Sequence, residues 1–176
     1  MAGSTVNRKR EMPRTRQSFE SGHHRKFLVV IDETPECDRA VYYASRRAVR
    51  TGGKLVMLAC ISIGEANRQW LGVGELMRAE ARDEVEKRMD HFAARARHLA
   101  GIDAERIIRE GSNAEEIQKL IEEDPDISIL VLAAGTDNKG PGPLVSSLAS
   151  SRSVTMTIPI TIVPGQLTDE ELDALA

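Results

Sequence analysis

Aromatic residues are nearly missing from this chain: one Trp, two Tyr and three Phe among 176 residues, 3% in all. The core must therefore be filled by Val, Ile, Leu and Ala, as in a parallel sheet covered on both faces. Cysteine is equally scarce. Cys37 and Cys60 have neither metal-ligand spacing nor the pairing of a disulfide framework, so they read as reduced residues, one near a helix start and one in a strand. No apolar run approaches the ~18 residues of a membrane span. The basic N-terminus is not followed by the apolar stretch of a secretory signal, so a soluble cytoplasmic protein is the default expectation. A net charge of -3 recommends neither nucleic acid nor membrane as a partner.

The signatures of common chemistry are missing too. No GxGxxG follows the first strand-like run, where DETPE stands instead. Gly135 and Gly140 have the spacing of Walker A glycines, but Pro141-Gly142 replaces the required Lys and Ser/Thr. There is no nucleophile elbow, no metal cluster and no Cys-His arrangement beyond chance. The acids Glu122, Glu123, Asp124 and Asp126 are those of a solvated turn. We expect no enzyme and no metal.

What is present is an alternation of buried strands and amphipathic helices. The 41% of hydrophobic residues supplies one sizeable core. Residues 1–25 are poor in apolar side chains and rich in Arg and Lys, which predicts a disordered basic arm. Phe27 to Ile31 is a buried strand, and Asp32-Glu33-Thr34-Pro35 ends it, with Thr34 as expected N-cap and Pro35 as first helical residue. Ala40, Val41, Ala44 and Ala48 line one face of that helix, and Gly52-Gly53 closes it. Leu55 to Ile61 is the second strand. Residues 62–74 form a loop holding Trp70. A long helix over about 75–100 carries Leu76, Met77, Ala81, Val85, Met89, Phe92, Ala96 and Leu99 on one face, with Met77 and Met89 as expected core residues and His91 and His98 on the surface.

Glu105 to Arg109 is a short third strand, and Ser112 with Glu115 predicts a capping box before the helix of Ile117, Leu120 and Ile121. Ile127 to Leu132 reads as a strand buried on both faces. It opens into a loop carrying Gly135, Gly140 and Gly142, then into a helix with Ser146 and Ser147 near its start. Strand, glycine loop and helix N-terminus together make an anion cradle, because glycines admit close backbone approach and the first helical N–H groups face the ligand. A solvated surface loop has the same composition. Ile158 to Val163 is the last strand, with Pro159 at its start. Thr168 to Glu171 is another capping box, heading an acidic tail over residues 166–176.

Five strands alternating with four helices predict a parallel sheet with right-handed crossovers and a ligand site beyond the carboxyl ends of its strands. If the first and fourth strands are neighbours, Asp32 and Gly135 flank one crevice. The segments FLVVIDETPECDRAVYYA, RIIREGSNAEEI, ISILVLAAG and IPITIVPG, with the long second helix, make the chain resemble the universal stress protein family over roughly residues 26–164. The resemblance implies an α/β Rossmann-like domain over residues 26–165 with strand order 3-2-1-4-5, dimeric through the last strand. Some members of that family bind ATP and others do not. In binders an aspartate ending the first strand contacts adenosine, and a loop Gly-x2-Gly-x9-Gly-Ser/Thr holds the phosphates. Asp32 and Gly135 match. Asn138 stands at the second glycine and Leu148-Ala149 at the final pair, whereas a shift of two residues brings Ser146-Ser147 there.

The expected site is therefore Asp32, Gly135, Gly140, Gly142, Ser146 and Ser147, with ATP or AMP as the ligand. The expected function is a non-catalytic, cytoplasmic homodimeric stress-response or signalling module. The alternative is an interaction module with a degenerate, empty pocket. Thr157 to Val163, apolar and last in the chain, is the expected dimer edge.

Overall fold

A computed structural model describes residues 15–62, 71–136, 140–150 and 156–176, without the side chains of 71–73 and 149–150. The elements are β1 (Lys26–Val30), α1 (Cys37–Arg50), β2 (Lys54–Ile61), α2 (Leu71–Ala100), β3 (Ala104–Glu110), α3 (Asn113–Glu123), β4 (Ile127–Ala134), α4 (Pro143–Ser150), β5 (Ile160–Pro164) and α5 (Asp169–Leu175). All strand pairs are parallel, in the order β3-β2-β1-β4-β5. This is the α/β architecture expected from the alternating pattern, with one further short helix at the end.

Alternation along β1 divides the core into two layers. Phe27 and Val29 pack with Met57, Ala59, Val85, Met89, Phe92 and Ala96 on the α1/α2 side. Leu28 and Val30 pack with Val56, Leu58, Ile117, Leu120 and Leu130 on the other, under α3. Successive strand side chains point to opposite faces, so a strand apolar at every position needs helices on both. Ala40, Val41, Ala44 and Ala48 are buried, and these mostly small side chains let α1 lie close to the sheet. Gly52 adopts φ +65. Its N–H donates to Val49 O and that of Gly53 to Ala48 O, the paired bonds of a Schellman motif that ends α1.

Several boundaries differ from the sequence reading, each for a local reason. α1 starts at Cys37 rather than Pro35, with Glu36 before it and no side-chain cap. Thr34 stands two residues ahead of the cap position, and its hydroxyl donates to Asp32 Oδ1 at 2.6 Å. α2 begins at Leu71, so residues 71–74 are helical; residues 63–70, Trp70 included, lie outside the described residues. Met89 is core as expected, but Leu76 and Met77 are 62% and 43% exposed. All of residues 75–80 are exposed. β5 starts at Ile160, the first residue after the proline that cannot donate. Ser112 does cap α3, accepting from the Glu115 N–H.

The expectation of disorder through Arg25 does not hold for residues 15–25. Gln17 N–H donates to Pro125 O at 3.0 Å, and the Ser18 hydroxyl to Asp126 O at 3.1 Å. One Arg16 nitrogen, Nη1, reaches the carbonyls of Ile121, Asp124 and Ile127 at 2.7, 3.1 and 3.1 Å. His23 meets the Asp126 carboxylate at 2.6 Å. The segment docks through polar bonds to the α3–β4 turn, while its one large apolar side chain, Phe19, stays 83% exposed. Apolar patterning therefore carried no sign of it. Because Arg16 satisfies carbonyls at the end of α3, Arg16→Ala is expected to cost about 2 kcal/mol, a fall in melting temperature of roughly 4–8 °C. A fall of less than a degree in a thermal scan would show that this strap contributes nothing.

The acidic C-terminal stretch is likewise docked. Thr168 and Glu171 form the expected capping box at the start of α5, and Leu172 is fully buried in the α1/α2 layer. Arg39 pairs with Asp169 at 2.7 Å and Arg46 with Asp173 at 2.9 Å around it. No helix among the described residues is long and apolar enough to cross a membrane.

Candidate functional site

β1 and β4 are hydrogen-bonded neighbours, with Val29 in register with Val131. The chain winds outward from this pair in both directions, to β2 and β3 on one side and to β5 on the other. Open α/β sheets form their ligand crevice at such a reversal, past the carboxyl ends of the strands. Asp32 leaves β1 here, and Gly135 leaves β4.

The Asp32 carboxylate has a visible local task. Its Oδ1 accepts from the Thr34 N–H at 2.9 Å and from the Thr34 hydroxyl, an Asx turn that sets the path from β1 to α1. Across the crevice, the Gly135 N–H donates to Pro141 O at 3.2 Å, folding the glycine loop back onto its own start. Gly140 and Gly142 have φ of +98 and +95, a conformation that L side chains adopt only under strain. Pro143, pre-set in φ and lacking an N–H, is the first residue of α4. The Ser146 N–H then donates to Gly142 O at 3.0 Å, closing the first turn. This leaves the amide end of α4 directly after the two left-handed glycines, the arrangement that favours an anion.

Ser146 and Ser147 are exposed, but they stand one turn inside α4 rather than at its first residue. Leu148, the alternative at the strict family spacing, is 7% exposed and packs in the α3-side core. Asn138 falls in residues 137–139, outside the described residues.

Two residues that sequence reasoning missed join the loops. Glu36, just ahead of α1, reaches over to the glycine loop: its Oε1 lies 3.7 Å from where a Cβ on Gly142 would stand. Gly165, just after β5, donates its N–H to Ala134 O at 3.0 Å. A Cβ on Gly165 would lie 2.6 Å from that carbonyl and 3.0 Å from Glu36 Cβ. The Pro164-Gly165 pair was visible in the sequence as a strand terminator, but nothing in it announced this close approach. Asp32, Glu33 and Glu36 make the mouth acidic, with Arg88 held by Glu33 at 3.1 Å.

Neither cysteine offers a nucleophile. Burial pushes the Cys37 thiol up to about 12 and the Cys60 thiol up to about 11, so both stay protonated at neutral pH. Among the described residues no group of three or more His, Cys, Asp or Glu is placed to hold a metal ion.

Solved structures share the whole architecture. Universal stress protein UspA from Lactobacillus plantarum superposes with a TM-score of 0.65 at 16% identity, covering 79% of this chain and 97% of its own. A universal stress protein solved in complex with cAMP gives a TM-score of 0.56 at 16% identity, over 81% of this chain and 98% of its own. The Archaeoglobus fulgidus universal stress protein in complex with dAMP gives 0.56 at 12% identity, over 80% and 98%. No curated protein matches the sequence. The model of the universal stress protein family matches residues 23–164. That span takes in the whole sheet, the crevice between β1 and β4 and both loops that border it, and the chain belongs to the universal stress protein family.

Proposed function

We propose that the protein is a non-catalytic universal-stress-type module that binds an adenine nucleotide, AMP or ATP, in the crevice between β1 and β4. The observation that carries this reading is the pair of left-handed glycines, Gly140 and Gly142, leading straight into the amide end of α4. Glycines in this conformation let a ligand approach the backbone closely beside a helix N-terminus. In this reading Gly135 supplies the tight exit from β4 and Gly140 and Gly142 the close backbone approach to phosphate. Ser146 and Ser147 add hydroxyls on the exposed side of α4, and Asp32 accepts from the sugar or base. Structural neighbours solved with cAMP and dAMP make an adenylate a reasonable ligand class. Mass analysis of nucleotide carried through native purification tests the reading. Recovery of an adenine nucleotide in stoichiometric amount supports it, and protein that neither carries one nor takes one up from millimolar solution refutes it.

The same module acts as a homodimer through its last strand. β5 is a sheet edge, and it presents Ile160 and Ile162 at 37% and 48% exposure. An exposed, β-branched edge strand is a template for pairing with a second copy. Ile162→Lys is expected to convert a dimer into a monomer at micromolar concentration in sedimentation, with the fold retained. Wild-type protein that sediments as a monomer would end this proposal. These isoleucines also favour the second reading, an interaction module whose crevice holds no ligand.

A further inference from the structure

Glu36 stands directly ahead of α1 with helical backbone angles, φ -74 and ψ -13, and not in the extended conformation of a capping residue. Ser, Thr, Asn and Asp cap helices, whereas Glu at this position makes no side-chain cap bond to α1. Its side chain instead fills the gap between the β1–α1 loop and the glycine loop. The Cβ is wedged against Gly165, and Oε1 lies 3.7 Å from the Cβ position of Gly142. Glu36 is half-buried. Among the described residues its carboxylate has neither a hydrogen-bond nor an ion-pair partner. The cations around it are committed elsewhere, Arg88 to Glu33, and Arg39 to Asp38 and Asp169. Among the described residues, then, no countercharge is paired with the carboxylate that stands beside the loop and helix end that would receive phosphate.

We propose that Glu36 is the charge-selecting residue of this crevice, admitting an adenosine end with little phosphate charge and disfavouring polyphosphates. This rests on the nucleotide reading above. Repulsion between like charges a few ångströms apart in a partly solvent-excluded cleft is strong enough to outweigh a hydrogen bond from an amide, and it grows with each phosphate added. Adenosine, carrying no charge, does not feel it. Affinity in the wild type therefore falls from adenosine monophosphate to the diphosphate to the triphosphate, against the rise that the helix dipole alone would give.

The test is calorimetric titration of the full chain with adenosine, AMP and ATP at fixed ionic strength in metal-free buffer, for wild type, Glu36→Gln and Glu36→Ser. Gln keeps the shape and removes the charge. Ser removes the charge together with most of the side chain, so agreement between the two variants reports the charge and not the shape. Both variants are expected to bind ATP about tenfold more tightly than the wild type does, AMP by a smaller factor, and adenosine unchanged. An equal change for all three ligands, or none, overturns the proposal while leaving the nucleotide site standing. If the wild type binds none of the three, the proposal falls even where a variant binds ATP, because the wild-type crevice then admits no adenosine end. If no protein binds any ligand, the proposal falls together with the nucleotide reading.

Discussion

Gly142→Val is expected to lower adenine-nucleotide affinity by about 10–100-fold, the equivalent of about 1–3 kcal/mol. Space is not the obstacle, since a Cβ at this position would meet nothing closer than Glu36 Oε1 at 3.7 Å. The obstacle is φ +95, which a β-branched side chain cannot hold without strain on the order of 1–3 kcal/mol. The loop relieves that strain by changing path, and in doing so it moves the turn that starts α4. Gly101→Val is the matching control. Gly101 also has a left-handed φ, +64, with open space around it, but it follows α2 and belongs to no part of the crevice. It should show a similar loss of stability and unchanged affinity. Equal affinity in the two variants would mean that the glycine loop is not where nucleotide binds.

The second large effect is on stability. Leu172→Ala is expected to cost about 3 kcal/mol, within the range for truncating a fully buried leucine, which lowers the melting temperature by roughly 6–12 °C. Leu172 is 0% exposed and is the side chain that fastens α5 to the α1/α2 layer. The ion pairs around it are partly solvated, Arg39–Asp169 and Arg46–Asp173 among them. Pairs of that kind contribute about 0–1 kcal/mol each. Asp173→Asn should therefore cost much less than Leu172→Ala in chemical denaturation. A reversed order would show that α5 is held by charge and not by its leucine.

The parts of the fold legible in the sequence were those governed by apolar patterning. The runs at Phe27–Ile31, Leu55–Ile61 and Ile127–Leu132 had to be strands covered on both faces, and Val85, Met89, Phe92 and Ala96 had to face a sheet. Polar docking left no such trace. The strap over residues 15–25 is held by Arg16, Gln17 and Ser18 on backbone carbonyls, and in sequence these look the same as a solvated tail. Helix periodicity also overreached at Leu76 and Met77, since a repeat of three and four identifies a face but not the length of sheet beneath it. At the crevice the glycines were visible, but their left-handed conformations and the intrusion of Glu36 were not. The intrusion depends on Glu36 meeting Gly142 and Gly165, both more than a hundred residues later in the chain.

The account stands most directly on where an adenylate binds, which amide NMR of the labelled full chain reads residue by residue during titration with AMP. Saturable shifts concentrated at Asp32, Thr34, Gly135, Gly140, Gly142, Ser146 and Ser147 are the expected result. Shifts confined to the opposite end of the sheet, around Lys26 and Asp126, or no shifts at millimolar AMP, would contradict it.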